Sequence, residues 1–179
     1  MKTVETQRLL LRPWSTDDAD DFFEYAKHPE VGLNGGWPPH ESRDISLSVI
    51  QFFIKENDIW AIVHKENGKV IGSLGLHADN KRPNINVREL GFVVSADHWG
   101  KGLATEAAKA AIAYAFEEQK LDLISTYHKT FNTRAKRVIE KCGFTYEGTL
   151  RQASKRYDKQ IFDAACYSIL KSEYPFAQT

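Results

Sequence analysis

The succession of hydrophobic patterns predicts an α/β fold, a mixed sheet with helices in the order β-α-α-β-β-β-α-β-α-β-β, formed as one domain over residues 1–179. Three observations predict it. A chain of 179 residues can bury one core without disulfides or metals, and a second full domain would be crowded. Residues 59–64, 69–77 and 86–94 read as three successive strands, the first two joined by Glu66-Asn67-Gly68, a strong hairpin signal. The alanine-rich run 102–118 then switches to a helical period, and strand, helix and two strands follow it.

Residues 7–14, Gln-Arg-Leu-Leu-Leu-Arg-Pro-Trp, predict a strand closed by proline, and Ser15-Thr16-Asp17-Asp18 offers caps for a helix through about Lys27. Between His28 and His40, three prolines and three glycines predict a long loop. Ser42 to Glu56 predicts a helix with Ile45, Val49, Phe52 and Phe53 at helical spacing. In the run 102–118 the apolar positions are Leu103, Ala107, Ala110 and Tyr114. A strand is expected at 121–127, and Asn132 to Lys141 is a short amphipathic helix with Ala135, Val138 and Ile139 inward, stopped by Gly143. The last two strands fall at 144–150 and 160–170 around a polar turn at 155–159.

Composition removes several function classes. Lys plus Arg and Asp plus Glu both number 24, so the net charge is zero, whereas binding to a phosphate backbone usually brings a basic excess. Nucleic acid is not expected as a partner. The apolar run Leu9 to Leu11, flanked by Arg8 and Arg12, is too short for a signal-peptide core or a membrane span. Cys142 and Cys166 have neither metal-ligand spacing nor a secreted disulfide framework, which suits free thiols in the cytoplasm. The six histidines are never paired at i, i+4, so no metal site is expected.

Chemistry concentrates in Glu89 to Glu106, where a strand runs into a glycine-containing turn and then a helix. The start of a helix leaves N–H groups unpaired and carries about half a positive charge, which together suit a phosphate or pyrophosphate. Gly100 and Gly102 let the backbone approach such an anion, and Lys101 adds a charge. A P-loop is excluded because Ser95 stands where its first glycine belongs and Gly102 follows Gly100-Lys101. A Rossmann fingerprint is excluded because position 105 is threonine, and the preceding strand belongs to a meander.

Asp97-His98-Trp99-Gly100-Lys101-Gly102 resembles the acetyl-CoA-binding motif of the GNAT superfamily: Gln or Arg, two residues, Gly, one residue, then Gly or Ala. Asp97 departs from it, removing a side-chain donor and leaving the backbone donors. The chain is similar over nearly its whole length to the branch of ribosomal-protein N-terminal acetyltransferases. The carrying segments are Thr6 to Pro13, Trp99 to Glu106, Asn132 with Glu140-Lys-Cys-Gly-Phe144, and Glu147-Gly-Thr-Leu-Arg151.

The resemblance implies a single GNAT-like domain and an enzyme using acetyl-CoA as cosubstrate, without metal. It would acetylate a primary amine, such as a protein N-terminus, by direct attack in a ternary complex. A small-amine acceptor (aminoglycoside, polyamine or amino acid) and a non-catalytic acetyl-CoA sensor are the alternatives. The oligomeric state stays open, a dimer included.

Phe92, Val93, Val94, Trp99, Gly100, Lys101, Gly102, Leu103, Ala104 and Thr105 are the expected coenzyme contacts, with a backbone N–H near Val93 or Val94 stabilising the thioester oxygen. Asn132 matches an asparagine that contacts the pantetheine arm or thiol region, and it is equally a natural helix cap. Arg134 and Lys136 can reach the ribose phosphate or form a solvated face.

Glu89 is the candidate base, sharing by alternation the face of Val87, Gly91 and Val93, where apolar neighbours would raise its proton affinity; a salt bridge is the competing reading. Ala135 stands near where relatives carry a hydroxyl acid, which leaves Tyr127, Tyr146 or water. Trp37 would stack on the acceptor or pin its loop, and His77 would face the cleft or cap its strand.

Overall fold

The computed structural model describes residues 1–174. The strands are β1 (Val4–Glu5), β2 (Leu9–Arg12), β3 (Ile59–His64), β4 (Val70–Ala78), β5 (Val87–Val94), β6 (Leu123–Lys129), β7 (Thr145–Lys155) and β8 (Ile161–Leu170). The helices are α1 (Ala19–Ala26), α2 (Pro29–Gly35), α3 (Arg43–Glu56), α4 (Leu103–Glu117) and α5 (Thr133–Lys141). The strands form one sheet in the order β1-β2-β3-β4-β5-β6-β8-β7. Every pairing is antiparallel except β5 with β6, which α4 connects as a parallel crossover.

Strand alternation divides the core in two. Trp60 and Ile62 face one side with Leu74, Leu90, Ile124 and the α4 residues Leu103, Ala107 and Ala111. Ile59, Ala61 and Val63 face the other, with Trp14, Phe22 and Tyr25 around α1 and Ile50 of α3. Burial on both faces explains why β3 reads as a continuous apolar run. Each large side chain removed from water, such as Trp60 or Ile124, contributes about 1.5–3 kcal/mol. The alanines of α4 keep that helix close to the sheet.

The loop expected at 28–40 contains α2. Its breakers are its punctuation: Pro29 occupies the first turn, where a missing N–H costs nothing, and Gly36 closes the helix at φ 96°. Helix α3 keeps its expected limits and its Ser42 cap, and of the four expected positions Val49 and Phe53 pack on the core, but the face is turned by about one residue. Ser46 and Ile50 are buried, whereas Ile45 and Phe52 are 42% and 55% exposed. Phe53 sets that rotation by packing its ring 5.5 Å from Trp14 and 5.8 Å from Phe22, and Ser46 Oγ meets His40 Nδ1 at 2.8 Å. In α4, Ala110 and Tyr114 are only partly buried, and Ala108, Ile112 and Phe116 supply more of the inner face. Strand β1 was not anticipated, β6 begins two residues late, and β7 continues to Lys155 through irregular register.

One break in this sheet creates space. Strands β5 and β6 pair only from Val87 to Glu89 against Leu123 to Ser125. Beyond Glu89 they part, leaving a wedge with Glu89 at its vertex.

Candidate functional site

A cavity of about 320 Å³ fills the wide end of the wedge, where β5, the turn after it, α4 and α5 converge. Phe92, Val93 and Val94 line it from β5, Trp99, Gly100 and Gly102 from the turn, and Leu103, Ala104 and Thr105 from α4. Asn132 and Arg134 close it from α5, and Val31, Asn34 and Gly35 from α2.

The turn is built to hold its shape. Gly100 and Gly102 have φ of 75° and 78°, a region that costs an L-residue about 1–2 kcal/mol. A Cβ on Gly100 would meet nothing within 4 Å, so the backbone there faces open space. Trp99 Nε1 donates to Val94 O at 2.8 Å, and Arg8 Nη1 donates to Lys101 O at 3.0 Å. The first hydrogen bond of α4 runs from Glu106 N to Gly102 O, which leaves the N–H groups of Leu103, Ala104 and Thr105 without intrahelical partners. These donors suit an anion.

Strand alternation orients the β5 backbone. Leu90 O accepts from Thr126 Oγ1 at 2.8 Å across the vertex, so Phe92 and Val94 direct their backbone groups to the same edge. Of Val93 and Val94, alternation therefore turns Val94 toward the wedge and Val93 toward β4.

Helix α5 supplies positive charge from Arg134, one of the two residues expected, and from two that were not. Arg134 lies 3.9 Å over the Trp99 ring and is bonded to Glu30 at 3.0 Å. Lys136 points away, 3.7 Å from Glu140, and neither it nor Lys101 lines the cavity. Arg137 and Lys141 do line it. Their spacing from Arg134, i+3 and i+7, marks one helix face, the signal by which the sequence could have singled them out. Three cations and no carboxylate thus line this cavity among the described residues. Asn132 Oδ1 accepts from Ala135 N at 3.0 Å, capping α5 from the cavity wall.

A second cavity, about 470 Å³, opens at the vertex between the β4–β5 loop, β6, β7 and β8. Glu89 lines it together with Lys81, Arg82, Tyr127, Glu147 and Cys166. Glu89 does share a face with Gly91 and Val93, but its surroundings are not apolar: Oε2 accepts from Lys81 Nζ at 2.9 Å, and Ser125 is its register partner on β6. The salt bridge that was the competing reading is present, and its partner is a loop lysine. Lys81 Nζ also sits 5.4 Å from the centre of the Tyr127 ring. Burial, with the Glu89 charge, raises the Tyr127 phenol above its ordinary value, which keeps it protonated.

Beneath this cavity Asp79 is fully buried, accepting from Ser125 Oγ at 2.7 Å, Arg82 Nη1 at 3.0 Å and Lys81 N at 2.8 Å. Arg82 also pairs with Glu147, whose other oxygen accepts from Ser168 Oγ at 2.8 Å. The network holds the loop that carries Lys81.

Trp37 and His77 line neither cavity. The Trp37 ring packs on Gly35, and its Nε1 donates to Ala26 O at 3.4 Å, so it pins α2 to the core. His77 is the cross-strand partner of Glu89, with Nδ1 3.1 Å from Asp58 Oδ2. Tyr146 is exposed and bonded to Thr149. Cys142 is buried under α5, which pushes its thiol up to about 12 and leaves it inert. No group of metal-ligating side chains occurs among the described residues, and none of their helices is long and apolar enough to cross a membrane.

The model of the acetyltransferase (GNAT) domain matches residues 8–145. The uncharacterized N-acetyltransferase p20 of Bacillus licheniformis is 32% identical over 183 residues, covering 97% of this chain and 99% of that protein. Among solved structures, an acetyltransferase (GNAT family) from Bacillus anthracis has the same fold at a TM-score of 0.86 and 23% identity, over 96% of this chain and 100% of that one. A ribosomal-protein-S5-alanine acetyltransferase from Vibrio fischeri has it at 0.76 and 19% identity, over 97% and 99%.

Proposed function

The chain belongs to the GNAT acetyltransferase family, and we propose that it transfers acetyl from acetyl-CoA to a primary amine by direct attack in a ternary complex, a protein N-terminal amine being the leading acceptor. The observation that carries this is the parting of β5 and β6 at Glu89, with a cationic cavity on one side of the vertex and a carboxylate-bearing cavity on the other.

The pyrophosphate of acetyl-CoA lies against the N–H groups at the start of α4, where Gly100 leaves room for it, and Arg137 and Lys141 take the remaining phosphate charge. The arm follows the open edge of β5 past Asn132, and the Val94 or Phe92 amide donates to the thioester oxygen as negative charge develops there. The amine enters the second cavity as an ammonium. Glu89 takes its proton, directly or through water, which contributes about 10²- to 10⁴-fold. The neutral amine attacks the carbonyl carbon, the C–S bond breaks, and the thiolate is protonated. Ala135 has no hydroxyl for that last step; Tyr127 is a protonated donor lining the acceptor cavity.

Thermal unfolding with acetyl-CoA tests the coenzyme half. At about 100 times Kd the stabilisation is roughly 2.7 kcal/mol, which raises Tm by roughly 5–11 °C for a chain of this size. No shift at millimolar acetyl-CoA sinks the proposal. Glu89→Gln tests the acceptor half: kcat falls about 10²-fold or more with acetyl-CoA affinity unchanged, and an unaltered kcat removes Glu89 from the role of base.

A further inference from the structure

The cation nearest the candidate base is the protein's own. Lys81 Nζ is 2.9 Å from Glu89 Oε2 and 5.4 Å from the centre of the Tyr127 ring, within the cavity at the β5–β6 vertex. Its arm comes from the loop after β4, which Asp79 and Arg82 anchor on either side, so the ammonium is delivered to this position by a fixed loop. An acceptor amine must occupy the same seat: against the carboxylate that removes its proton, beside an aromatic face that tolerates positive charge.

We infer that Lys81 is an internal acceptor, which the enzyme acetylates on Nζ when acetyl-CoA is bound and no external amine competes for Glu89. The inference rests on the reading of this cavity as the acceptor site. The ammonium first gives one proton to Glu89, which passes it to solvent. The neutral Nζ attacks the thioester carbonyl carbon, the N–C bond forms, the C–S bond breaks, and the proton released from nitrogen ends on the departing thiolate. The products are Nζ-acetyl-Lys81, coenzyme A and one proton in solution. The modification abolishes the Lys81 charge, so Glu89 loses its internal ion-pair partner and its charge becomes available to an incoming ammonium. Self-acetylation is therefore a single event per chain that frees the charge of Glu89.

Incubation of the purified full chain with isotopically labelled acetyl-CoA and no added amine, followed by intact-mass measurement and peptide mapping, is the test. One labelled acetyl group is expected at Lys81, accumulating at least about 10²-fold faster than at surface lysines such as Lys2 or Lys159, in line with the gain from a positioned base. The rate constant is independent of protein concentration, Lys81→Gln removes the label, and Glu89→Gln slows its incorporation by a similar factor. Label spread evenly over the exposed lysines, or a rate constant that rises with protein concentration, overturns the inference. Thermal unfolding of the same sample separates the two proposals. A coenzyme-induced rise in Tm without label on Lys81 defeats the internal acceptor alone, whereas no rise defeats the coenzyme site with it.

Discussion

Glu106→Gln is the sharpest probe of how the N-terminal segment holds the turn before α4. Glu106, in the first turn of α4, accepts from Thr6 Oγ1 at 2.6 Å and Arg8 N at 2.8 Å through Oε1, and from Arg8 Nε at 2.7 Å through Oε2. Every partner is a donor. The amide group of glutamine must turn its NH2 either on the guanidinium or on the Thr6 hydroxyl and Arg8 amide, so one charge-assisted bond becomes a donor–donor contact. Such a bond is worth about 1.5–3 kcal/mol. Arg8 is 44% exposed, and solvent screening takes the expectation to the low end, about 1.5–2 kcal/mol. Urea unfolding should report that loss with an unchanged m-value, and Tm should fall by roughly 3–8 °C.

The pH dependence gives a second arm to the same experiment. Burial raises the Glu106 carboxyl, but the bonds from Thr6 and Arg8 outweigh it and hold the group below its ordinary 4.5. Its contribution is therefore complete above 4.5 and lost as pH falls through the lower folded value, so the gap between wild type and variant narrows in acid. A third readout is affinity. Arg8 also holds Lys101 O at 3.0 Å, so a loosened Arg8 should weaken acetyl-CoA binding several-fold. A stability change under about 0.5 kcal/mol at neutral pH would refute the reasoning, placing the pair among surface ion pairs that contribute nothing measurable.

Three further outcomes are expected. Gly100→Val, which puts a branched residue at φ 75°, should cost about 1–2 kcal/mol by urea unfolding and lower acetyl-CoA affinity by more than tenfold in calorimetry; equal affinity would remove the turn from the coenzyme site. Asn132→Ala deletes the α5 cap to Ala135 N and should cost about 1 kcal/mol, seen as a fall in Tm of about 2–4 °C. Asp79→Asn should cost about 2–4 kcal/mol at neutral pH, since Arg82 keeps Glu147. Burial raises the Asp79 carboxyl, yet bonds from Ser125, the Lys81 amide and Arg82 hold it below 3.8, so its contribution is lost as pH falls below that value and the penalty shrinks there.

What was legible in the sequence was what local physics decides. Asn67-Gly68 fixed the β3–β4 hairpin, the Gly100 to Thr105 segment announced a glycine-containing turn into a helix, whose glycines the structure puts at positive φ, and Asn132 announced the α5 cap. Misreadings arose where a distant partner decides. Pro29 and Gly36 looked like loop residues because breakers and caps are the same residues, and a seven-residue helix leaves little room for a periodic pattern between them. The apolar positions of α3 marked a face, but Phe22 and Trp14 chose another about one residue round. Lys81 could not be assigned to Glu89 from the sequence, because they meet only after β4 and β5 pair and their connecting loop folds onto Asp79. Trp37 had two readings from its neighbours, and only the Ala26 carbonyl and the face of Gly35 separate them.

The break in the sheet ties these observations together. A parallel pair needs a long crossover, and here the crossover helix begins where β5 ends, so the N–H groups of α4 and the unpaired edge of β5 open onto the same wedge. From Val94 to Glu89 the strand rises about 17 Å at ~3.3 Å per residue, an extended edge that runs from the cationic cavity to the candidate base. Pairing across β4 fixes which side chains face the vertex: His77 opposes Glu89 and Gly75 opposes Gly91, each in register. A one-residue slip of β5 would turn Glu89 to the opposite face, away from Lys81 and Tyr127, and bring Arg88 or Leu90 to the vertex instead. Val94 would at the same time lose the edge on which its carbonyl meets Trp99 Nε1. The same register therefore aligns the cationic cavity and the candidate base, and Gly75, where a Cβ would come within 2.5 Å of the His77 ring, is part of what keeps it.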